Sequence, residues 1–134
     1  PRTRKKLESL SKQDFNPLIE FMKPFGFSDY IQLQKNAFCV ISDSGTITEE
    51  ASLLSIPAVM IRQAHERPEG MDQGIVIMSG LSADAVMKSV DVATKMKMPE
   101  LVKDFDVDCV SEKVVKIIFS YVHYINRTVW SKSL

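Results

Sequence analysis

Short apolar runs alternate with amphipathic segments along the chain, and the two patterns predict different elements. Runs rich in β-branched and aromatic residues predict strands at 37–42, 58–62 and 74–79. Apolar residues at helical spacing predict helices at 2–10, 28–36, 46–54, 82–96 and from Ser111 onward. Residues 17–22, PLIEFM, fit a strand, although a short helix is also compatible with them. This alternation predicts parallel βαβ units, with helices covering both faces of the sheet.

Three of these segments carry a prediction about burial or packing. The run AFCVIS at 37–42 is apolar almost throughout, which is typical of a strand buried on both faces. In helix 82–96, the residues expected to face inward are Ala85, Val86, Ser89, Val90 and Ala93. In the last helix, the apolar positions that recur at helical spacing are Val114, Val115, Ile118, Tyr121, Val122 and Ile125. We expect the apolar face of this last helix to pack on a neighbouring surface.

The composition is that of an ordinary globular protein. The 134 residues are 45% apolar and 25% charged, which suits a single domain spanning 1–134. Lys+Arg and Asp+Glu are both 17, so the net charge of zero gives no indication of a nucleic-acid partner or an anionic membrane. No apolar run approaches the ~18 residues that a membrane span needs.

The cysteines and the first residue indicate where the protein works and how complete the chain is. Cys39 and Cys109 lack CxxC spacing, so we interpret them as reduced thiols in a cytoplasmic protein and not as a disulfide or a metal pair. The chain begins at Pro1 and not at an initiator Met, so we expect it to be a piece of a longer protein.

The segment SDSGTITEE, residues 42–50, joins a predicted strand to a predicted helix. Ligands of parallel sheets bind at the carboxyl ends of strands, and helix N-termini attract anions through unpaired N–H groups. Ser44 and Gly45 lie at this junction, and a glycine lets a phosphate approach the backbone closely. The alternative is that Asp43 or Ser44 only caps the helix. The sequence has neither GxGxxG nor a P-loop, which argues against dinucleotide and NTPase sites.

Two adjacent carboxylates, Glu49 and Glu50, follow this junction within about one helical turn. Acidic residues there are stabilised by the helix dipole, and this electrostatic role is the simple interpretation. A carboxylate beside a phosphate site could also accept hydrogen bonds from ribose hydroxyls. A phosphate on N–H groups together with a sugar diol on a carboxylate would describe a nucleotide site.

The loop RQAHERPEG, residues 62–70, follows the next predicted strand and therefore lies at the same sheet edge. Pro68 stiffens this loop and can hold Arg67 in place, and arginine suits phosphate or a buried carboxylate. His65 is a weaker candidate for binding or catalysis. The alternative is a solvated loop with no function.

The three linked motifs DSG at 43–45, EE at 49–50 and ERPE at 66–69 resemble the pattern of the non-hydrolysing UDP-N-acetylglucosamine 2-epimerases. The similarity runs from about Pro24 to Gly80. The flanking segments PRTRKKLE at 1–8 and NRTVWSK at 126–132 resemble the subgroup that interconverts UDP-linked N-acetyl-talosamine and N-acetyl-fucosamine.

The resemblance implies a Rossmann-like three-layer αβα domain with a parallel sheet, the C-terminal half of a glycosyltransferase-B-type two-domain fold. It implies that Ser44 and Gly45 hold the UDP diphosphate, that Glu50 binds the ribose hydroxyls and that Tyr30 lies near the uracil. Arg67 would line the cleft. Thr46 stands where many relatives have a second glycine. The resemblance further implies a homodimeric parent enzyme that works on a UDP-sugar without a cofactor or a metal.

The resemblance also implies a mechanism that this chain cannot complete by itself. The family eliminates UDP across C1–C2 of the sugar and adds it back after C2 is protonated from the other face. The family's catalytic carboxylates belong to the N-terminal half, and a histidine-bearing motif of the HRREN type lies upstream of Pro1. We therefore expect the 134 residues alone to be inactive and to bind UDP weakly.

Two other functions fit the residues. One is the donor-binding half of a glycosyltransferase, which would share the fold and the nucleotide site. The other is a non-catalytic nucleotide-binding module. ERPE after DSG favours the epimerase.

Overall fold

The computed structural model describes residues 15–132, which contain three strands and five α-helices. The helices are α1 Phe27–Asn36, α2 Ile47–Leu54, α3 Pro68–Asp72, α4 Ala83–Lys95 and α5 Val110–Thr128. The strands are β1 Val40–Ser42, β2 Ala58–Met60 and β3 Ile77–Met78, and a 3₁₀ turn covers Lys103–Phe105. The chain divides into two compact units, 1–31 and 32–134.

The sheet lies in the second unit and is parallel throughout, in the order β1-β2-β3. Ser42 pairs with Met60, and Met60 pairs with Met78. Beyond β2, the Ile61 N–H donates to Ser42 O at 3.0 Å, so the carboxyl ends of β1 and β2 lie side by side. The predicted βαβ arrangement is therefore confirmed, and the segments after β1 and β2 leave the sheet at one edge.

The core forms around the central strand. All three residues of β2 are buried, because this strand has neighbours on both sides and helices against it. Helix α2 contributes Ile47 and Ala51, which are one turn apart and fully buried. The buried apolar cluster comprises Ile47, Ala51, Ile56, Ala58, Met60, Ile75, Val76 and Val102.

The prediction for residues 17–22 is wrong, because this segment is neither a strand nor a helix. Pro17 has no N–H to donate, and the next two donors are used in a local turn. The Leu18 N–H donates to Asn16 Oδ1 at 2.9 Å, and the Ile19 N–H donates to Asn16 O at 2.9 Å. These bonds take the backbone donors that a sheet would need. The helix predicted at 2–10 lies outside the described residues.

Strand β1 is shorter and more exposed than predicted. It covers three residues and not 37–42, and Ile41 is 47% exposed, so β1 is not buried on both faces. The reason is its position, since among the described strands β1 pairs only with β2.

The loop after β2 also differs from the prediction, because it contains the short helix α3. Pro68 occupies the first turn of α3, where a missing N–H does no harm.

The predictions for the last two helices differ in outcome. In α4 the expected inward positions Ala85, Val86, Ser89, Val90 and Ala93 are all partly buried, as predicted. Helix α5 begins at Val110, one residue before the predicted start, and its apolar residues Val115, Ile118 and Tyr121 are more than half exposed. Packing of this face on another surface stays a prediction.

Within residues 15–132, no helix is both long and apolar enough to cross a membrane.

Gly70 fixes helix α3 against helix α2. It is buried, and a β-carbon built on it would overlap the Thr48 methyl group and lie 3.6 Å from a ring carbon of Phe105. Thr48 is itself fully buried, so neither side has room to move. The close approach of these two helices therefore requires glycine at position 70.

We expect Gly70→Ala to lower the free energy of unfolding by about 1–3 kcal/mol, which is the usual cost of overpacking a filled core. Urea denaturation followed by circular dichroism would measure it. Gly26→Ala is the matched control, because a β-carbon at Gly26 meets its nearest neighbour, Asp29 Oδ2, at an ordinary 3.7 Å. Equal stability of the two variants would contradict the requirement for glycine at position 70.

Candidate functional site

The turn that follows β1 is folded by its own hydroxyl groups. The Ser44 N–H donates to Ser42 Oγ at 3.1 Å, and the Thr46 N–H donates to Ser44 Oγ at 3.3 Å. Ser44 Oγ and Thr46 Oγ1 are 2.8 Å apart and share a further hydrogen bond. The N-cap residue of α2 is Thr46, and its side chain makes no capping bond. The hydroxyl of Ser44 therefore shapes the turn ahead of the helix and does not cap the helix in the usual way.

Gly45 lies in this turn, directly before the N-cap residue of α2, with two arginine side chains against it. A β-carbon built on Gly45 would be 2.8 Å from Arg67 Nη1 and 3.5 Å from Arg62 Nη1. Arg62 comes two residues after β2, and Arg67 immediately precedes α3. Both arginines reach Gly45 because the carboxyl ends of β1 and β2 lie side by side. The absence of a side chain at position 45 leaves room for the guanidinium of Arg67 to lie against the backbone.

The charges around Gly45 favour an anion. The N-terminus of a helix carries the positive end of its dipole, which does not favour a nearby cation. Arg62 and Arg67 nevertheless converge on the turn before α2. A negatively charged group at this point would interact favourably with both guanidinium groups and with the helix N-terminus. The arrangement is therefore suited to a phosphate or a carboxylate.

Two glutamates hold the arginines in this arrangement. Glu49 Oε1 accepts a hydrogen bond from Arg67 Nε at 2.5 Å, and both side chains are about one-third exposed or less. Glu66 is 3.0 Å from Arg62 Nη2 and 3.5 Å from Arg67 Nη1. The hydrogen bond from Arg67 to Glu49, and then the charge of Glu49, raise the pKa of the Arg67 guanidinium above its usual value. Arg67 is thus charged at any physiological pH and is oriented by a carboxylate.

The second carboxylate of the pair, Glu50, has a different partner. Gln34 Nε2 donates to Glu50 Oε2 at 2.5 Å, and the Gln34 residue is only 3% exposed. Gln34 lies on α1 and is buried, so it fixes the orientation of the Glu50 carboxylate from a separate helix. Glu49 and Glu50 are adjacent in sequence but are held by different elements.

The structure therefore brings together some of the residues predicted from sequence. Ser44, Gly45 and Arg67 meet at the end of β1, and Glu50 lies on the helix that starts there. His65 is exposed in the loop after β2. Tyr30 lies on α1 and is 38% exposed. A uracil contact by Tyr30 and a binding or catalytic role for His65 stay predictions.

Three residues of this site were not among those predicted to act there: Arg62, Glu49 in its contact with Arg67, and Gln34. Arg62 was indicated only as part of the segment RQAHERPEG at the ligand-binding edge of the sheet, without a role of its own. The partners of Glu49 and Gln34 are 18 and 16 residues away in the chain, and no local pattern indicates such contacts.

Comparison with known proteins identifies a family. The family model described as UDP-N-acetylglucosamine 2-epimerase matches residues 1–119. A curated UDP-N-acetylglucosamine 2-epimerase of Methanococcus maripaludis is 37% identical over 98 residues, covering 71% of this chain and 27% of that protein. The chain thus spans about a quarter of the length of this relative. These matches confirm the resemblance drawn from DSG, EE and ERPE, and they favour the epimerase over the glycosyltransferase alternative.

Two solved structures have the same fold. UDP-N-acetylglucosamine 2-epimerase from Rickettsia bellii is 51% identical with a TM-score of 0.83, covering 98% of this chain and 38% of that chain. The enzyme from Methanocaldococcus jannaschii in complex with UDP-GlcNAc and UDP is 30% identical with a TM-score of 0.75, covering 90% and 34%. The predicted Rossmann-like αβα fold, of the kind that forms the C-terminal half of a glycosyltransferase-B-type protein, is confirmed.

Proposed function

Because this chain belongs to the UDP-N-acetylglucosamine 2-epimerase family, we propose that it is the C-terminal, UDP-binding part of an enzyme that inverts C2 of a UDP-linked N-acetyl amino sugar. The observation that carries the proposal is the convergence of Arg62 and Arg67 on Gly45 at the N-terminus of α2. The relative from M. jannaschii, whose structure contains UDP-GlcNAc and UDP, supports the choice of ligand.

In this proposal each residue has one task in holding UDP. Ser44 and Gly45 receive the diphosphate beside the N-terminus of α2, and Arg67 neutralises its charge. Glu50, oriented by Gln34, accepts hydrogen bonds from the ribose hydroxyls. Both oxygens of a carboxylate are acceptors, which suits the two hydroxyl donors of a ribose diol. Tyr30 contacts the uracil, as the family resemblance implies.

The reaction of the whole enzyme explains why UDP must be held firmly. A base removes the C2 proton, the C1–O bond breaks, and UDP leaves with the electron pair. A proton is then delivered to the other face of C2, and the same UDP oxygen attacks C1. UDP must stay in the site between the two steps, and retention of UDP is the task of this chain. The residues that transfer the C2 proton belong to the N-terminal half of the enzyme.

The proposal extends to the parent protein. We propose a cytoplasmic homodimer whose substrate is UDP-GlcNAc or a related UDP-amino sugar. Among the related sugars, the flanking segments favour the pair UDP-N-acetyl-talosamine and UDP-N-acetyl-fucosamine. The site in this chain recognises the nucleotide, so the choice of sugar depends on the other half of the enzyme.

Calorimetric titration of the 134-residue chain with UDP tests the proposal. We expect weak, saturable binding that is about 3–10-fold weaker in Ser44→Ala, since a neutral hydrogen bond contributes about 0.5–1.5 kcal/mol. The isolated chain should not epimerise UDP-GlcNAc, and turnover by these residues alone would contradict the assignment of chemistry to the other half.

A folded wild type that binds no UDP would require the same titration on the complete parent protein. Binding there would mean that the site closes only when both halves are present. No binding there would refute the proposed function.

A further inference from the structure

The adjacent glutamates of α2 differ in what they contact, and this difference points to separate tasks. Glu50 is bound by the buried Gln34, whereas Glu49 is bound by Arg67. Arg67 is also the side chain that comes closest to Gly45, with its Nη1 atom 2.8 Å from a β-carbon built there. The contact with Glu49 uses Nε, so the outer nitrogen Nη1 points toward the turn before α2.

We propose that Glu49 is a positioning residue whose carboxylate holds the Arg67 guanidinium over Gly45, where it meets the diphosphate of UDP. This inference rests on the proposed function, because it assumes that a diphosphate occupies the turn. Glu49 does not contact the ligand in this proposal. It acts through Arg67.

Arg67 needs such support because its position carries an entropic and an electrostatic cost. The side chain of an arginine has many rotamers, and fixing them on binding costs conformational entropy. In addition, Arg67 lies beside another cation, Arg62, and beside the positive end of the α2 dipole. Glu66 also contacts Arg67, but its atom pair is 3.5 Å apart and its side chain is 64% exposed. Glu49 is therefore the group that orients the guanidinium before the ligand arrives.

The simpler interpretation, that Glu49 only stabilises the first turn of α2, predicts the opposite sign for UDP binding. A carboxylate near a bound diphosphate repels it, so removing an acid that has no positioning task should strengthen binding. If Glu49 orients Arg67, removing it should weaken binding despite the relief of this repulsion. The direction of the change in affinity therefore distinguishes the two interpretations.

The test combines calorimetry with NMR of the arginine side chain in the 134-residue chain. In the wild type, the Arg67 Nε–H should give a resolved, slowly exchanging resonance because it is hydrogen-bonded to Glu49. In Glu49→Ala this protection should disappear, and UDP binding should weaken about tenfold. Glu49→Gln keeps an acceptor oxygen without the charge, so it should retain the resonance and bind UDP within about threefold of the wild type.

Glu69→Ala is the matched control, because Glu69 acts on Arg67 through its charge and not through a hydrogen bond. It should leave the Arg67 resonance in place and should not weaken UDP binding. If Glu49→Ala binds UDP as tightly as the wild type while Arg67→Ala does not bind, the positioning role is refuted and the UDP site stands. If the folded wild type and its parent protein both fail to bind UDP, the proposed function fails and this inference fails with it.

Discussion

Replacing Arg67 with alanine is expected to weaken UDP binding about a hundredfold, which is the largest effect of any substitution in this site. The guanidinium lies over Gly45 and would make charge-assisted hydrogen bonds to the diphosphate, and these bonds are roughly twice as strong as neutral ones. Its loss would also leave the Glu49 carboxylate beside the diphosphate without its cation. The measurement is a titration of backbone amide shifts of residues 44–46 with UDP.

Arg67→Lys is the informative companion of this variant. Lysine keeps the positive charge but lacks the planar fork that lets arginine bind Glu49 through Nε while Nη1 faces the turn. We expect a loss intermediate between the wild type and Arg67→Ala. Full binding by Arg67→Lys would mean that only the net charge matters at this position. Wild-type affinity of Arg67→Ala would place the diphosphate elsewhere.

Replacing Glu50 with alanine is expected to weaken UDP binding about thirtyfold and to leave the binding of inorganic pyrophosphate unchanged. In our proposal Glu50 binds the ribose diol and Arg67 binds the diphosphate, so the two substitutions should separate the two parts of the ligand. Arg67→Ala should weaken the binding of both UDP and pyrophosphate. Competition of pyrophosphate against UDP, followed by the amide shift of Gly45, would measure both affinities in each variant.

A second ligand provides the control for Glu50. A UDP analogue without the 2′ and 3′ hydroxyls should bind the wild type and Glu50→Ala equally well, because there is no diol for the carboxylate to accept from. Gln34→Ala should give a smaller loss for UDP than Glu50→Ala, since it removes the donor that orients the carboxylate and keeps the carboxylate itself. If Glu50→Ala weakens pyrophosphate binding as much as UDP binding, a ribose role for Glu50 is wrong.

Much of the fold follows from local pattern. The helix at Ala83–Lys95 was predicted with its inward face, because that face recurs at helical spacing over thirteen residues. The error at 17–22 arose because a short apolar run fits several conformations, and local bonds to Asn16 decided against a strand. The length and exposure of β1 could not be predicted, because they depend on how many neighbours a strand has in the sheet.

By itself, the sequence determined that a strand, a hydroxyl-rich turn with glycine and a helix follow each other within 37–54, and it identified the family through DSG, EE and ERPE. These features are local, because they depend on residues that are close together in the sequence. The tertiary structure decided which side chains meet. It placed Arg67 against Glu49 and Gln34 against Glu50, although 18 and 16 residues separate the partners. Such contacts depend on the parallel register of the sheet and on helix packing, which no segment of the chain specifies alone.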